Sequence, residues 1–428
     1  MLIEFACSNY KSIYKKVKLS MLASLDDTRE KELIHFDKYR INRLSAIYGP
    51  NGSGKTNILE ALAKSRKFIE SCLRYELGDY AFFEPHKLAK KDEASKFEFQ
   101  FVVEDIRYAY GFSVLDGKID KEYLFYFPNK RQTKIFTREG LVIENGDSFK
   151  KFSETAFEVL KENRLFLTCA ANYTKNVEIE KAYLFFKEDV RPFWPSNESN
   201  NVIPNAIEYF SKHAELKEIY LKIMDNLGTG ICDVSTTFDK KKYSEGELPK
   251  DMPVRLKEMF MEKEIVRAEA IIQYNEFQLD LETEESTGIK KLFAFMYPFL
   301  DSLLNNRVLI CDELETGLHE SIVAGLLRLF STLYPDSRAQ LIFTTHDTSL
   351  LDTAFLRRDQ IWFTELDQSR STDLYSLIEI KNVRKTENLK KGYISGKYGA
   401  IPMLNESIFS KNTDTIISSD VDQVNCDD

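Results

Sequence analysis

Apolar positions change their spacing along the chain, and each change predicts a different element. Phe97, Phe99, Phe101 and Val103 alternate with Glu98, Gln100 and Val102, and Tyr108, Tyr110, Phe112 and Val114 continue the alternation. Period two is the spacing of strands with one buried face. Glu104-Asp105 and Asp116-Gly117 fall where hairpin turns belong. The stretch is expected to be an antiparallel meander with aromatics in its core. A base-stacking platform is the other use of such rings; a packed sheet is the simpler one.

From Thr56 to Leu73 the spacing lengthens. Ile58, Leu59, Leu62, Phe68, Ile69 and Leu73 make one helical stripe. Leu44–Tyr48, Val308–Cys311 and Leu341–Thr344 are short continuous apolar runs. Such runs fit strands of a mainly parallel sheet, buried on both faces. Further strands are expected at Leu2–Cys7, Val17–Leu22, Ile265–Tyr274 and Glu276–Leu281. Residues 150–230 pattern as helices, and Lys240–Pro253 as an exposed loop. The expected organisation is an N-terminal lobe (1–150), a mainly helical insertion (151–262), a C-terminal lobe (263–405) and a polar tail (406–428).

Composition narrows the class. A hydrophobic fraction of 43% in 428 residues is ordinary for a chain with real cores. The net charge of −9 argues against a general nucleic-acid coat. Six scattered cysteines form no C-x-x-C pair, which disfavours a disulfide framework or a zinc site. The start lacks a signal-peptide pattern, and no apolar run is long enough to span a bilayer. A cytoplasmic protein without membrane contact is expected.

Candidate chemistry sits at the ends of the buried strands. Gly49-Pro50-Asn51-Gly52-Ser53-Gly54-Lys55-Thr56 matches G-x-x-x-x-G-K-[ST] in full, between a strand and a helix. Backbone N–H groups from Asn51 to Thr56 would cradle phosphates at a helix N-terminus. Lys55 would neutralise the β- and γ-phosphates of ATP, and Thr56 would offer its hydroxyl to Mg²⁺. The strand Val308–Cys311 ends in Asp312, a candidate Mg²⁺ ligand, and Glu313, a candidate for polarising the attacking water. A third strand ends at His346, whose neutral imidazole would contact the γ-phosphate. Ser286, Thr287 and Gly288 open another helix and form a candidate anion site.

The order of phosphate loop, serine signature, Asp-Glu strand end and histidine resembles the ABC-type ATPase heads, in the branch of the SMC, RecF and OLD families. "STG" (Ser286–Gly288) and "ETGLH" (Glu315–His319) favour the non-transporter branch. "LSMLAS" (Leu19–Ser24) and "GYISGKYGAIPML" (Gly392–Leu404) resemble stand-alone ATPases of phage-defence and abortive-infection operons, of the RloA or AbiL type. The implied fold is α/β: a P-loop NTPase head with a mixed core sheet, an antiparallel β subdomain and a helical insertion. "SNYKSI" resembles the family's opening motif, which places Asn9 and Lys11 near the nucleotide base. The resemblance also implies a homodimer or higher oligomer closed around ATP, with Ser286 completing the partner's site. It implies a separate effector, a nuclease or toxin, and leaves DNA open as a partner. A RecF-like repair accessory and an ATP-bound scaffold with little turnover are the alternative roles. Two departures stand out: no Gln lies between Asn57 and Phe99 to act as the family's Mg²⁺-contacting glutamine, and His319 stands where transporters carry an Asp.

Overall fold

The computed structural model describes residues 1–402, apart from 77, 82, 150–151, 195–201, 243–248, 250–251 and 263. Leu404 and the acidic positions Asp420 and Asp422 of the tail therefore lie outside the described residues.

The chain opens with β1 (Leu2–Ser8), β2 (Val17–Ser20), the hairpin β3 (Ile34–Phe36) and β4 (Tyr39–Ile41), then β5 (Leu44–Tyr48) and α1 (Lys55–Ser71). Five strands follow: β6 (Ser95–Val103), β7 (Ile106–Leu115), β8 (Lys118–Tyr126), β9 (Thr133–Glu139) and β10 (Val142–Asn145). Helices α2 (Glu154–Glu158), α3 (Phe166–Tyr173) and α4 (Val177–Leu184) lead into β11 (Val190–Phe193). Then come α5 (Val202–Lys212), α6 (Lys217–Asn226), β12 (Asp233–Lys242), α7 (Val254–Glu262), β13 (Glu264–Gln273) and β14 (Gln278–Asp280). The last third runs α8 (Thr287–Asn305), β15 (Val308–Cys311), α9 (Glu320–Thr332), β16 (Gln340–Thr344), β17 (Ile361–Leu366), β18 (Thr372–Ser376) and α10 (Leu389–Ile394).

Two large sheets carry the fold. The first has the order β11-β15-β16-β5-β17-β18 and is parallel except for β18. The second is antiparallel, in the order β10-β9-β8-β7-β6-β1-β2. Its hairpin turns use left-handed backbone at Glu104 (φ 47°), Asp105 (φ 60°), Asp116 (φ 48°) and Gly117 (φ 73°). Positive φ at both central residues matches the right-handed twist of the flanking strands.

Side-chain alternation in the parallel sheet feeds two separate cores. Ile47, Val308, Ile310, Ile342 and Trp362 point toward α1 and the aromatic face of the antiparallel sheet. Their neighbours Ala46, Tyr48, Leu309, Cys311, Leu341, Phe343 and Phe363 point the other way, into a core shared with α8 and α9. Burial on both faces is why these strands read as continuous apolar runs. The aromatics of the meander lie in the first core, with Phe97, Phe99, Phe101, Tyr108 and Tyr110 all buried.

The described part of 151–262 is mainly helical, from α2 to α7, with two strands among the helices. It supplies β11, which pairs in parallel with β15 at the edge of the core sheet, and β12, which pairs with β13. Val190-Arg191-Pro192-Phe193 is too short and too interrupted to read as a strand. An edge position tolerates Pro192, which has no N–H to donate. The expected loop from Lys240 begins as strand, since β12 runs to Lys242. The second strand near the N-terminus stops at Ser20, short of the expected Leu22.

A buried ion pair ties the antiparallel sheet to the helices. Glu122 and Arg138 are each 1% exposed and lie 3.2 Å apart. Glu122 accepts the Phe166 and Leu167 N–H groups at the start of α3, at 2.7 and 2.9 Å, and the Tyr110 hydroxyl at 3.0 Å. Glu122→Ala would leave the Arg138 charge buried and two helix donors unmet. A loss of about 3–5 kcal/mol is expected, read as a lower denaturant midpoint. An unchanged midpoint would show that the pair does not anchor the lobe.

Candidate functional site

The phosphate loop follows β5, all five residues of which are buried. The chain turns through Gly52 (φ 77°) and Gly54 (φ 101°) into α1, with Gly54 at the N-cap. Left-handed backbone there suits glycine. Space demands it too: a Cβ on Gly54 would lie 2.0 Å from Thr372 Oγ1, and one on Gly49 2.3 Å from Thr364 Oγ1. Those threonines, from β17 and β18, clamp the loop from behind. Ser53 Oγ lies 2.6 Å from Thr364 Oγ1, and Thr372 Oγ1 donates to the Ser53 carbonyl at 2.9 Å. Ser12 joins the clamp at 2.7 Å from Thr372 Oγ1 and accepts from Asn57 Nδ2 at 2.7 Å. Asn51, Gly52 and Thr56 remain exposed along the crest.

Lys55 is 6% exposed and folds under this loop. Its ammonium donates to the Gly49 and Pro50 carbonyls at 2.8 and 3.2 Å. Burial pushes its pKa down to about 8, against the opposing pull of Asp312, Glu313 and Glu315. A desolvated cation ringed by backbone dipoles is suited to polyphosphate.

Three parallel strands end beside it. Asp312, buried at the end of β15, accepts from Thr56 Oγ1 at 3.0 and 3.2 Å and from Thr344 Oγ1 at 2.6 Å. Burial raises its pKa above the ordinary carboxylate value, while the Thr344 and Thr56 hydroxyls lower it. The facing carboxylate and hydroxyl oxygens are hard donors that fit Mg²⁺. Glu313 takes a left-handed φ of 48°, a strained choice for a residue with a side chain. The turn is fixed by its N–H on Thr344 Oγ1 (2.7 Å) and by Thr316 Oγ1 on its carboxylate (3.2 Å). His346 stands exposed past the end of β16, its N–H donating to Glu315 Oε1 at 2.6 Å. Partial desolvation and then the Lys55 charge hold its imidazole below the ordinary histidine pKa, toward the neutral form.

Lys55, Thr56, Asp312, Glu313 and His346 are thus brought together. Sequence reasoning missed Glu315, Thr344 and the clamp of Ser12, Thr364 and Thr372. Glu315 had a signal in the acidic run "DELE"; its second oxygen is buried without a hydrogen-bond partner, as is the Tyr48 hydroxyl. Ser12 lies within "SNYKSI", in the turn after β1; Thr344, Thr364 and Thr372 carry no signal, because they meet the site from strands far away in sequence. A cleft of about 510 Å³ opens beside Thr56 and Asp312, walled by Glu60 and Lys67 of α1 and by Trp194.

Ser286, Thr287 and Gly288 lie elsewhere. Ser286 and Thr287 are exposed at the start of α8, where the Ser286 hydroxyl caps the Ile289 N–H at 3.3 Å. Glu285 accepts the Ser286 N–H at 3.0 Å and the Tyr274 hydroxyl at 2.6 Å, so the turn just after β13 helps to set the signature. A Cβ on Gly288 would lie 3.1 Å from the Gly317 carbonyl, which puts the signature against the turn after Glu313. His319 caps α9 through Nδ1, which accepts from the Ser321 N–H at 3.2 Å.

Asn9 is buried, with its amide donating to the Glu93 carbonyl (2.6 Å) and accepting the His86 N–H (2.9 Å). Lys11 pairs with Glu60, one turn beyond Thr56 on α1. Asn9 therefore fixes a turn, and Lys11 reaches the outer face of the phosphate-loop helix. Of the residues near the missing glutamine's place, His86 is buried and stacked on Tyr14, with ring centroids 5.0 Å apart. Glu84 pairs with Lys87 at 3.3 Å.

The model of the family described as "AAA domain, putative AbiEii toxin, Type IV TA system" matches residues 44–352. Among solved structures, an SMC head bound to the C-terminal winged-helix domain of ScpA is similar at 16% identity and a TM-score of 0.43, covering 88% of this chain and 97% of its own. The SMC head domain from Thermotoga maritima is similar at 12% identity and a TM-score of 0.41, covering 88% and 98%. A Pyrococcus furiosus SMC head with an extended coiled coil, bound to the C-terminal domain of ScpA, gives 16% identity, a TM-score of 0.39 and coverage of 88% and 96%. No curated protein matches in sequence. The family span begins with β5 and ends six residues beyond His346, so it holds the phosphate loop and all three strand ends. The chain belongs to this family of AAA domains, whose description names a putative AbiEii toxin of type IV toxin–antitoxin systems.

Proposed function

We propose that this chain binds ATP with Mg²⁺ and closes into a homodimer around it. That closure would switch a separate effector, a nuclease or toxin, in cytoplasmic anti-phage defence. The observation that carries the reading is a division of parts. The phosphate loop, Asp312–Glu313 and His346 converge in one site, while Ser286 and Thr287 are exposed on α8. Such an exposed signature suits a nucleotide held by a second copy.

Bound Mg²⁺ would neutralise phosphate charge and orient the γ-phosphate. The N–H groups from Asn51 to Thr56 and the Lys55 ammonium hold the phosphates. Thr56 and Asp312 hold the metal. Glu313 orients the attacking water and accepts its proton. His346, neutral, donates to a γ-phosphate oxygen and reports its presence. Lys11 lies on the base side, and Asn9 acts through the turn it fixes. Ser286, Thr287 and Gly288 bring a helix N-terminus to the partner's phosphates. Once the γ-phosphate leaves, that cross-contact is lost and the dimer opens. The family's description as a type IV toxin–antitoxin component supports the defence setting. Among the described residues, no helix is long and apolar enough to cross a membrane.

Ser286→Arg tests the division. Wild type is expected to double in mass with ATP and Mg²⁺ in sedimentation, and the variant to bind ATP yet stay a monomer. ATP-dependent dimers of the variant at wild-type concentration would defeat the composite-site reading.

A further inference from the structure

A second cavity, of about 490 Å³, lies at the opposite end of the parallel sheet. Arg338, which lines it, precedes β16, while Thr344 at the far end of that strand holds Asp312. The six residue steps from Arg338 to Thr344 span about 20 Å of extended chain. Ligands of open parallel sheets bind beyond the carboxyl ends of the strands. This cavity, at the amino ends, is separate from the phosphate loop.

Three turns and Arg338 build it: the tip of the β3–β4 hairpin, the β6–β7 turn and the 127–130 turn. Their aromatic and cationic side chains are interleaved. The Arg107 guanidinium lies 3.7 Å from the Phe127 ring centroid and 5.8 Å from that of Tyr39. Arg107 also donates to the Tyr39 hydroxyl at 3.3 Å. The rings of Phe36 and Tyr39 are within 11° of parallel. Two faces of the lining, Phe36 and Tyr39, therefore share an orientation, which suits a planar ring. Around these faces stand four cations, Lys38, Arg107, Lys130 and Arg338, against two carboxylates, Asp37 and Asp105. The local excess is positive in a chain of net charge −9. Asp37 pairs with Lys130 at 2.5 Å and Asp105 with Arg338 at 2.6 Å, both at the exposed rim. Exposed pairs of this kind are worth little and are readily exchanged. A phosphate can take the place of either carboxylate.

We propose that this pocket binds a nucleotide unit. Its base stacks against the Tyr39, Arg107 and Phe127 surfaces, and its phosphate meets Lys38, Lys130 and Arg338. Aromatic faces within a basic rim are the arrangement by which proteins hold unpaired nucleotides. The unit could arrive as a free nucleotide or as part of a single strand, and the test separates the two sources.

The test uses the full chain without ATP or Mg²⁺ and reads the anisotropy of a short fluorescein-labelled oligothymidylate, with thymidine monophosphate as competitor. Wild type and Lys55→Ala are expected to bind alike. Arg107→Ala is expected to weaken binding at least about tenfold, the scale of one lost base stack. Lys38→Glu, exposed at the hairpin tip, is expected to weaken it without touching the core, which keeps the test sound if Arg107→Ala misfolds. Displacement by the monophosphate identifies a free nucleotide as the ligand, and displacement only by unlabelled strand identifies single-stranded nucleic acid. Absence of binding to both probes, or wild-type affinity in both variants, overturns the proposal. Loss of binding in Lys55→Ala alone would place the oligonucleotide at the phosphate loop and overturn it equally.

Discussion

Lys55→Ala is expected to lower ATP affinity by roughly a hundredfold or more, the scale of about 3 kcal/mol for removing one partner of a desolvated charge contact. The reason is local. The ammonium is buried and anchored on the carbonyls of Gly49 and Pro50, so it is already placed beneath the turn that would cradle phosphate. Alanine removes the only formal positive charge within Gly49–Thr56 and leaves those carbonyls without their donor. The rest of the loop remains braced by Ser53, Thr364 and Thr372. Loss of binding in a folded variant would therefore report charge and not collapse. Titration calorimetry reads the affinity, and near wild-type binding would remove Lys55 from the site. The pH dependence carries a sign. With the free-state pKa pushed down to about 8, Lys55 is charged below that pH and binds without proton uptake. Phosphates favour the charged form and raise the pKa. Above about 8, binding must recruit a proton, so wild-type affinity falls as pH rises while that of Lys55→Ala does not follow.

Glu313→Gln is expected to lower ATP turnover by about 10²–10⁴, the usual contribution of a positioned general base. ATP should stay bound, and the ATP-dependent dimer should accumulate. The amide keeps the shape of the carboxylate. The backbone bond to Thr344 and the acceptor for Thr316 both survive, so the left-handed turn at Glu313 should persist. Asp312 keeps its contacts with Thr56 and Thr344. Phosphate release and size-exclusion chromatography in the presence of ATP measure the two effects. Turnover at the wild-type rate would assign the base elsewhere, with Glu315 the first candidate, since one of its oxygens is buried and unpartnered. In that case Glu315→Gln should show the loss instead.

The comparison of Ser286 with Asn9 shows what kind of information a motif holds. Both come from recurrent short patterns. Ser286 is found where such a pattern needs it, at an exposed N-cap, because capping is decided within one helical turn. Asn9 has its amide held by the backbone at 86 and 93, two positions that only the folded antiparallel sheet brings near it.

The sequence by itself determined the local machinery. The phosphate loop is written in eight consecutive residues, since its glycines, its lysine and the helix it opens all act within that span. The buried strands were legible because burial on both faces removes polar alternation, and the meander because burial on one face restores it. The tertiary structure alone decided what crosses the chain. Thr344 holds Asp312 from 32 residues away, and Thr372 clamps Ser53 across 319. β11 became a core strand only by pairing with β15. The basic aromatic pocket exists because residues 36 and 338 meet at one end of the sheet. Hydrogen bonds and ring contacts act over a few ångströms in space, so their partners carry no fixed spacing in the sequence.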